Sequence, residues 1–233
     1  MRQIRKNPEP TVLAEWRSRY QSDVNYGYDL LPNEVREAVI DSLLSEQGWL
    51  CAYTGRRVWK DGCHIEHLKA QKHCERGEDV AYTNLVACHP APNTGEAPYG
   101  AHPKREWPSP VERHLFVSPL DDHCEERFQF NLRGEIGAAH TNDLAAETTI
   151  TKLKLDHSEL SQLRKEAIDA TLMIFGRGPA SLPLPDARRR LAKLDNAEPP
   201  SVRLDPYCFA LKQALRKHIS RLEAIRQNKH RRP

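Results

Sequence analysis

The sequence predicts an α+β protein, with helical segments at both ends of the chain and short β-strands between them. Apolar residues recur at helical spacing near both ends, whereas the middle of the chain alternates short β-type runs with Thr-Gly and Asp-Gly turn signals. The 233 residues are enough to bury a sizeable core, and the balance of 39% hydrophobic and 29% charged residues is typical of a soluble globular protein. No run of about 18 apolar residues occurs, so we expect no membrane span.

Residues 1–48 are predicted to form a helical lead-in. One helix is expected over residues 10–22. A second is expected over residues 32–48, because a proline stands at its start, a glycine stands at its end, and valines and leucines recur along one face.

Residues 49–140 contain the β-type runs. Three runs separated by turn signals predict a β-hairpin within residues 49–68. A second, smaller hairpin is expected within residues 127–138, where Phe128 and Phe130 alternate with polar residues ahead of a glycine turn.

Two further segments lie between these hairpins. The run "NLVAC", residues 84–88, indicates a helix. Residues 89–112 are rich in proline and glycine, which predicts a long loop.

Residues 141–233 are predicted to form a helical C-terminal region that is basic at its end. A helix with a capping-box start is expected over residues 156–176, followed by a linker over residues 176–187 and a last helix that begins at Asp205. Residues 201–233 hold nine Lys and Arg against two Asp and Glu, although the whole chain carries only +3. Such a face suits phosphate contacts or docking of a partner, but charged helix faces are also common as plain solvated surfaces.

The composition favours a cytoplasmic protein. The first ten residues, "MRQIRKNPEP", are basic but lack the apolar segment of an export signal. Six cysteines are too few for the disulfide framework of a secreted protein of this length, so we expect free thiols or metal ligands.

The run "CHIEH", residues 63–67, concentrates a thiol, two imidazoles and a carboxylate in five positions. On a strand, His64 and Glu66 face one way while His67 faces the other. Phosphodiester hydrolysis needs a base that activates water and ligands that hold a divalent cation, and these residue types supply both. Further polar residues follow downstream at Asn84, His89, Asn93, His102 and Lys104.

The order "CAYTG … CHIEHLKAQ … YTNLVAC … YGAHPK" resembles the HNH (ββα-metal) endonucleases. Together with "FVSPLDDHCEERFQFNLRGEI", it looks most like the PtuB-like branch found in Septu and retron-associated anti-phage systems. The resemblance covers residues 1 to about 140 and implies a small ββα-metal core, with the helical C-terminal part matched only in outline.

The resemblance also implies a role for each matching residue. His67 would be the general base, Glu66 a ligand of Mg²⁺ or another divalent cation, and Asn84 the residue that orients the base. The distal ligand would be His102, with His89 and Asn93 as competitors, and His64 would contact the metal or a phosphate. Contacts to nucleic acid are expected from Lys104, Lys212, Arg216, Lys217 and Arg221.

Many HNH proteins carry two Cys-x-x-Cys pairs on zinc, and this chain departs from that pattern. A zinc site would need irregularly spaced thiols, namely Cys51, Cys63, Cys74 and Cys88. The favoured expectation is that no such zinc site forms and that Trp49, Tyr53 and Leu85 pack in its place.

The resemblance therefore implies a metal-dependent endonuclease that acts as the effector of an anti-phage complex with a PtuA-type ATPase. A retron reverse transcriptase with its RNA–DNA product is a further candidate partner. DNA is the favoured substrate, and structured RNA such as tRNA stays open. The alternative is a catalytically inactive, zinc-braced adaptor that binds nucleic acid or the ATPase.

Overall fold

The computed structural model describes residues 1–92, 94–174 and 180–230. These residues form a mixed α+β protein, as predicted from the sequence. Buried side chains from the N-terminal, middle and C-terminal segments belong to one continuous hydrophobic cluster. None of the helices in the described ranges combines the length and the apolar character needed to cross a membrane.

The helices and strands follow one another along the chain with bounds that differ by a few residues from the predicted ones. The helices are α1 (Thr11–Tyr20), α2 (Asn33–Glu46), α3 (Ala101–Lys104), α4 (Leu144–Lys152), α5 (Ser158–Leu172), α6 (Leu184–Asp195) and α7 (Cys208–His230). The strands are β1 (His64–His67), β2 (Leu85–Cys88), β3 (Phe128–Phe130), β4 (Ile136–Ala138), β5 (Met173–Ile174) and β6 (Ala180–Ser181). They pair as three antiparallel two-stranded sheets, β1 with β2, β3 with β4, and β5 with β6.

The central sheet differs from the predicted hairpin. Strand β1 forms as expected, but it pairs with β2, in the register His64 to Cys88 and His67 to Leu85. The prediction of a helix over "NLVAC" was wrong, since residues 85–88 form β2 and all four are buried. A short run of apolar residues fits a strand buried on both faces as well as a buried helix, so its sequence pattern does not tell the two apart. The segment expected to pair with β1 contributes one isolated bridge, Leu50 to Arg57.

The backbone groups on the second edge of β2 are hydrogen-bonded by side chains instead of by another strand. The side-chain amide of Gln47 accepts from Ala87 N–H at 2.7 Å and donates to Ala87 C=O at 2.9 Å. Lys6 donates to Leu85 C=O at 2.9 Å and forms an ion pair with the buried Glu46. An edge strand inside a protein needs such partners, because unpaired buried backbone groups are costly.

The second hairpin, β3 with β4, is confirmed. Its turn requires Gly134, which has φ +74°, and a Cβ at this position would lie 2.2 Å from Ser161 C=O on α5. Helix α7 packs on the other side, where Gln213 donates to Phe128 C=O at 2.8 Å and accepts from Phe130 N–H at 2.9 Å.

The C-terminal region is helical as predicted, but the linker was placed too far along the chain. Helix α6 begins at Leu184, inside the segment expected to be a linker, and part of that segment, residues 176–179, lies outside the described residues. Helices α6 and α7 are joined by Asp195, which pairs with Lys212 at 3.5 Å and Arg216 at 3.1 Å.

Some of the basic side chains predicted to bind nucleic acid have structural roles instead. Lys212 and Arg216 pair with Asp195 on α6. Lys217 donates to Phe130 C=O at 2.8 Å and connects α7 to β3. Arg221 is exposed on α7 and keeps the role of an expected phosphate contact. Part of the basic face of α7 therefore stabilises the fold, because its side chains contact α6 and β3.

Candidate active site

Strand β1 presents two of the candidate site residues on its partly exposed side. Along His64–His67 the side chains alternate between partly exposed and buried, so His64 and Glu66 share one face while Ile65 and His67 face the interior. His64 Nε2 lies 3.6 Å from Glu66 Oε2, and the two side chains are 19% and 16% exposed. Both side chains are therefore partly accessible to solvent.

The His64 ring has a defined tautomer. Its Nδ1 lies 2.6 Å from Pro90 C=O, and since a carbonyl only accepts, Nδ1 carries the hydrogen. In the neutral ring the lone pair is then on Nε2, the atom that faces Glu66. A backbone carbonyl that fixes a histidine in this way is the usual arrangement behind a metal-ligating imidazole.

His64 and Glu66 each shift the pKa of the other toward the charged form. Burial lowers the pKa of His64, but the neighbouring carboxylate of Glu66 and the Pro90 carbonyl outweigh it, and the pKa lies above its usual value. Burial raises the pKa of Glu66, but His64 and Lys104 outweigh it, and Glu66 is a carboxylate at neutral pH.

Lys104 is the internal counter-charge of this site. It lies at the end of α3, where its ammonium contacts Glu66 Oε1 at 2.9 Å and donates to His67 C=O at 2.7 Å. The residue is only 2% exposed. The expectation that Lys104 contacts nucleic acid was wrong, because a lysine buried against Glu66 presents no charge to a substrate backbone.

His102 and His89 border the same face. The rings of His64 and His102 are stacked with centroids 5.7 Å apart. His102 Nδ1 accepts from Ala97 N–H at 2.8 Å, so the neutral ring carries its hydrogen on Nε2 and offers a donor instead of a lone pair. Burial, together with Arg56, His102 and His64, lowers the pKa of His89 to about 4. The third competitor for the distal ligand, Asn93, lies outside the described residues.

His67 lies apart from this cluster, on the interior side of β1. Its ring meets Tyr28 edge to face at 4.6 Å between centroids. Its Nε2 donates to Asp79 C=O at 2.9 Å, which leaves Nδ1 as the basic atom of the neutral ring. Burial lowers the pKa of His67 despite the opposing effects of Asp79 and Glu66, so the ring is neutral at pH 7.

Asn84 holds together the segments on either side of His67. Its Oδ1 accepts from Lys69 N–H at 2.7 Å, while its Nδ2 donates to Lys69 C=O at 3.2 Å and Glu78 C=O at 3.1 Å. Glu78 directly precedes Asp79, whose carbonyl fixes the His67 ring. Asn84 therefore positions His67 indirectly, through the backbone of the loop that follows β1.

The variant Asn84→Asp tests whether the hydrogen bonds of Asn84 stabilise this loop. Aspartate keeps the acceptor for Lys69 N–H but turns the donor into a charged oxygen that faces two carbonyls. We expect the free energy of unfolding to fall by about 2 kcal/mol in urea denaturation. The exposed Asn25→Asp is the matched control and should change it by less than about 0.5 kcal/mol. Equal effects at both positions would contradict the bracing role.

The four cysteines considered for zinc do not share one place. The thiols of Cys51 and Cys88 are in hydrogen-bond contact, and Cys63 directly precedes β1 at the same end. Cys74 lies at the other end of β1, where its thiol contacts Lys69 C=O and Asn84. A four-residue strand is about 10 Å long, so Cys74 does not fit a common zinc site with the others. Of the residues expected to pack there, Tyr53 and Leu85 are buried and Trp49 is half-buried.

Two residues at this site gave no signal in the sequence. Arg56 and Tyr99 are hydrogen-bonded to each other beside His89, and Tyr99 OH donates to Glu159 at 2.8 Å. An arginine after a glycine turn and a tyrosine in a long loop have no distinctive spacing, and only the folded chain brings them to the site.

Comparisons with known proteins add no relative. No protein-family model matches the chain, and a search of curated proteins likewise finds no match.

Proposed function

We propose that this protein is a metal-dependent HNH endonuclease that hydrolyses phosphodiester bonds, with DNA as the favoured substrate. The observation that carries the proposal is the pair formed by His64 Nε2 and Glu66 Oε2, 3.6 Å apart on the partly exposed face of β1. The order β1, β2, α3 supports it, because this is the order of elements in a ββα-metal core. Helix α3 is a single turn here, shorter than such a core usually has.

The donor set fits a hydrated divalent cation. Mg²⁺ keeps several waters and is bound through one or two carboxylates in addition to substrate phosphates, and Glu66 supplies one carboxylate oxygen. The imidazole lone pair of His64 suits a transition-metal ion better than Mg²⁺. When bound there, the ion would stabilise the negative charge that develops on the 3′ leaving oxygen.

The remaining side chains divide the work of hydrolysis. Lys104 holds one oxygen of Glu66, so that the other is directed toward His64. His102 Nε2 offers an N–H to a phosphate oxygen. From the resemblance, His67 is proposed as the general base that takes the proton of the attacking water; its ring is neutral with Nδ1 as the basic atom, and it lies on the interior side of β1, opposite His64 and Glu66.

The biological setting is proposed from the resemblance alone. We propose that the nuclease is the effector of an anti-phage complex and that a PtuA-type ATPase is its partner. Retron reverse transcriptase with its RNA–DNA product is a further candidate partner. The C-terminal region is the proposed docking part, since none of the residues proposed here as metal ligand or general base lies in α6 or α7.

The test is a cleavage assay with purified protein. Labelled duplex DNA, single-stranded DNA and a tRNA transcript are incubated with Mg²⁺ or Mn²⁺, with and without EDTA. We expect cleavage of duplex DNA that EDTA abolishes and added Mg²⁺ restores. Cleavage of tRNA alone would keep the chemistry and change the substrate.

The same assay separates the nuclease from the inactive adaptor. An adaptor would bind nucleic acid without cutting it and would hold stoichiometric zinc, which metal analysis of the pure protein detects. Zinc at one equivalent together with no cleavage under any condition would overturn the proposal.

A further inference from the structure

Arg56 lies in a turn that is fixed on two sides. Gly55 has φ +71°, and a Cβ there would lie 2.5 Å from the Phe209 ring at the start of α7. On the other side, a Cβ at Gly100 would lie 3.1 Å from the Thr54 methyl group, ahead of α3. The backbone of Arg56 is therefore wedged between α7 and the loop that leads to His102.

The turn also adjoins the β1 cluster directly. Cys51 N–H donates to Arg56 C=O at 2.8 Å, and Cys51 Sγ accepts from His89 N–H at 3.4 Å. Arg56 and His89 thus flank the same cysteine. The position of Arg56 beside the candidate active site follows from these two hydrogen bonds.

The guanidinium of Arg56 is oriented by one group and neutralised by another. It donates to the hydroxyl of Tyr99, a residue only 1% exposed, which is in place before any ligand arrives. Its charge partner is Glu159 on α5, at the longer distance of 3.7 Å. The side chains of Arg56 and Glu159 are 28% and 53% exposed, so the ion pair is open to solvent.

An open ion pair of this kind is easily displaced. Exposed salt bridges contribute little free energy, since water competes for both partners. A guanidinium with one side fixed by a phenol binds a phosphate oxygen with strong, charge-assisted hydrogen bonds. A phosphate is therefore the better partner for Arg56 at the place where Glu159 lies.

We propose that Arg56 binds a backbone phosphate of the nucleic acid next to the scissile one, and that Glu159 holds this position until the substrate displaces it. The proposal rests on the proposed nuclease function and names the residue that seats its substrate. It also gives α5, in the C-terminal region, a direct contact with the substrate site.

The test measures binding separately from cleavage. Full-length protein carrying His67→Gln is titrated into a short fluorescein-labelled DNA duplex at several salt concentrations, and anisotropy is recorded. Arg56→Ala should weaken binding about tenfold and reduce the slope of log affinity against log salt by about one, the loss of one phosphate contact. Glu159→Gln should instead strengthen binding, because it removes the competing charge and keeps the hydrogen bond from Tyr99.

The matched control is Arg19→Ala, which removes an exposed arginine on α1 and should leave the salt slope unchanged. Equal behaviour of the Arg56 and Arg19 variants, or weaker binding by Glu159→Gln, would overturn the proposal. If binding depends on Arg56 but the wild-type protein cleaves no substrate, the proposed nuclease function is wrong and the phosphate contact of Arg56 is supported. The absence of any binding would remove both.

Discussion

Glu66→Gln is expected to lower the free energy of unfolding by about 3 kcal/mol, because it leaves the ammonium of Lys104 buried without its counter-charge. The Lys104 side chain is 1% exposed and that of Glu66 is 16% exposed, so solvent screens this pair poorly. Urea denaturation measures the change. The matched control is Glu106→Gln in the exposed pair with Lys72, whose side chains are 61% and 63% exposed, and it should leave the unfolding curve nearly unchanged because solvent screens that pair.

Adding Lys104→Met to Glu66→Gln should recover most of the lost stability. The double variant no longer buries an unpaired charge, and the methionine fills much of the volume of the lysine stem. We expect it to unfold within about 1 kcal/mol of the wild type, the remainder being the lost bond to His67 C=O. A double variant less stable than Glu66→Gln alone would contradict the assignment of Lys104 as the counter-charge.

His67→Gln is expected to slow cleavage by at least about 100-fold while the protein stays folded. Glutamine keeps an N–H donor for Asp79 C=O but has no basic nitrogen. Single-turnover cleavage of labelled DNA with Mg²⁺ measures the rate, and the exposed His140→Gln serves as the matched control. Unchanged cleavage by His67→Gln would show that His67 is not the general base. Loss of cleavage in His89→Gln would then identify His89 as the base.

Glutamine is chosen because the structure corrects an expectation drawn from the sequence. From the sequence alone, His67→Ala should remove activity without loss of stability. The His67 ring is only 9% exposed and packs against Tyr28. Truncation to alanine leaves a cavity that costs about 2 kcal/mol or more, so loss of activity in that variant would not be specific.

The helices were predictable because their signals are local. Proline before α2 and the spacing of its buried valines define that helix within a few residues. The pairing of β1 with β2 was not predictable, because 17 residues separate the two strands and the apolar run of β2 suits a helix as well. What decides the pairing is the cover supplied to β2 by Gln47 and Lys6, which are distant in sequence.

The candidate site was predictable in part for the same reason. The alternation of a strand places His64 and Glu66 together, and the structure has them on one face. No local pattern indicates that Lys104 is buried, that His102 offers a donor, or that Arg56 reaches the site. Each of these follows from contacts between segments that lie far apart along the chain.

The most direct test of the nuclease site is single-turnover cleavage by the charge-balanced double variant. Wild-type protein and Glu66→Gln/Lys104→Met are compared on the same labelled DNA duplex with Mg²⁺, after circular dichroism has established that both are folded. We expect the wild type to cleave and the double variant to be at least about 100-fold slower, because it has lost the carboxylate proposed to hold the cation. Equal rates for the two proteins would contradict a catalytic site built on His64 and Glu66.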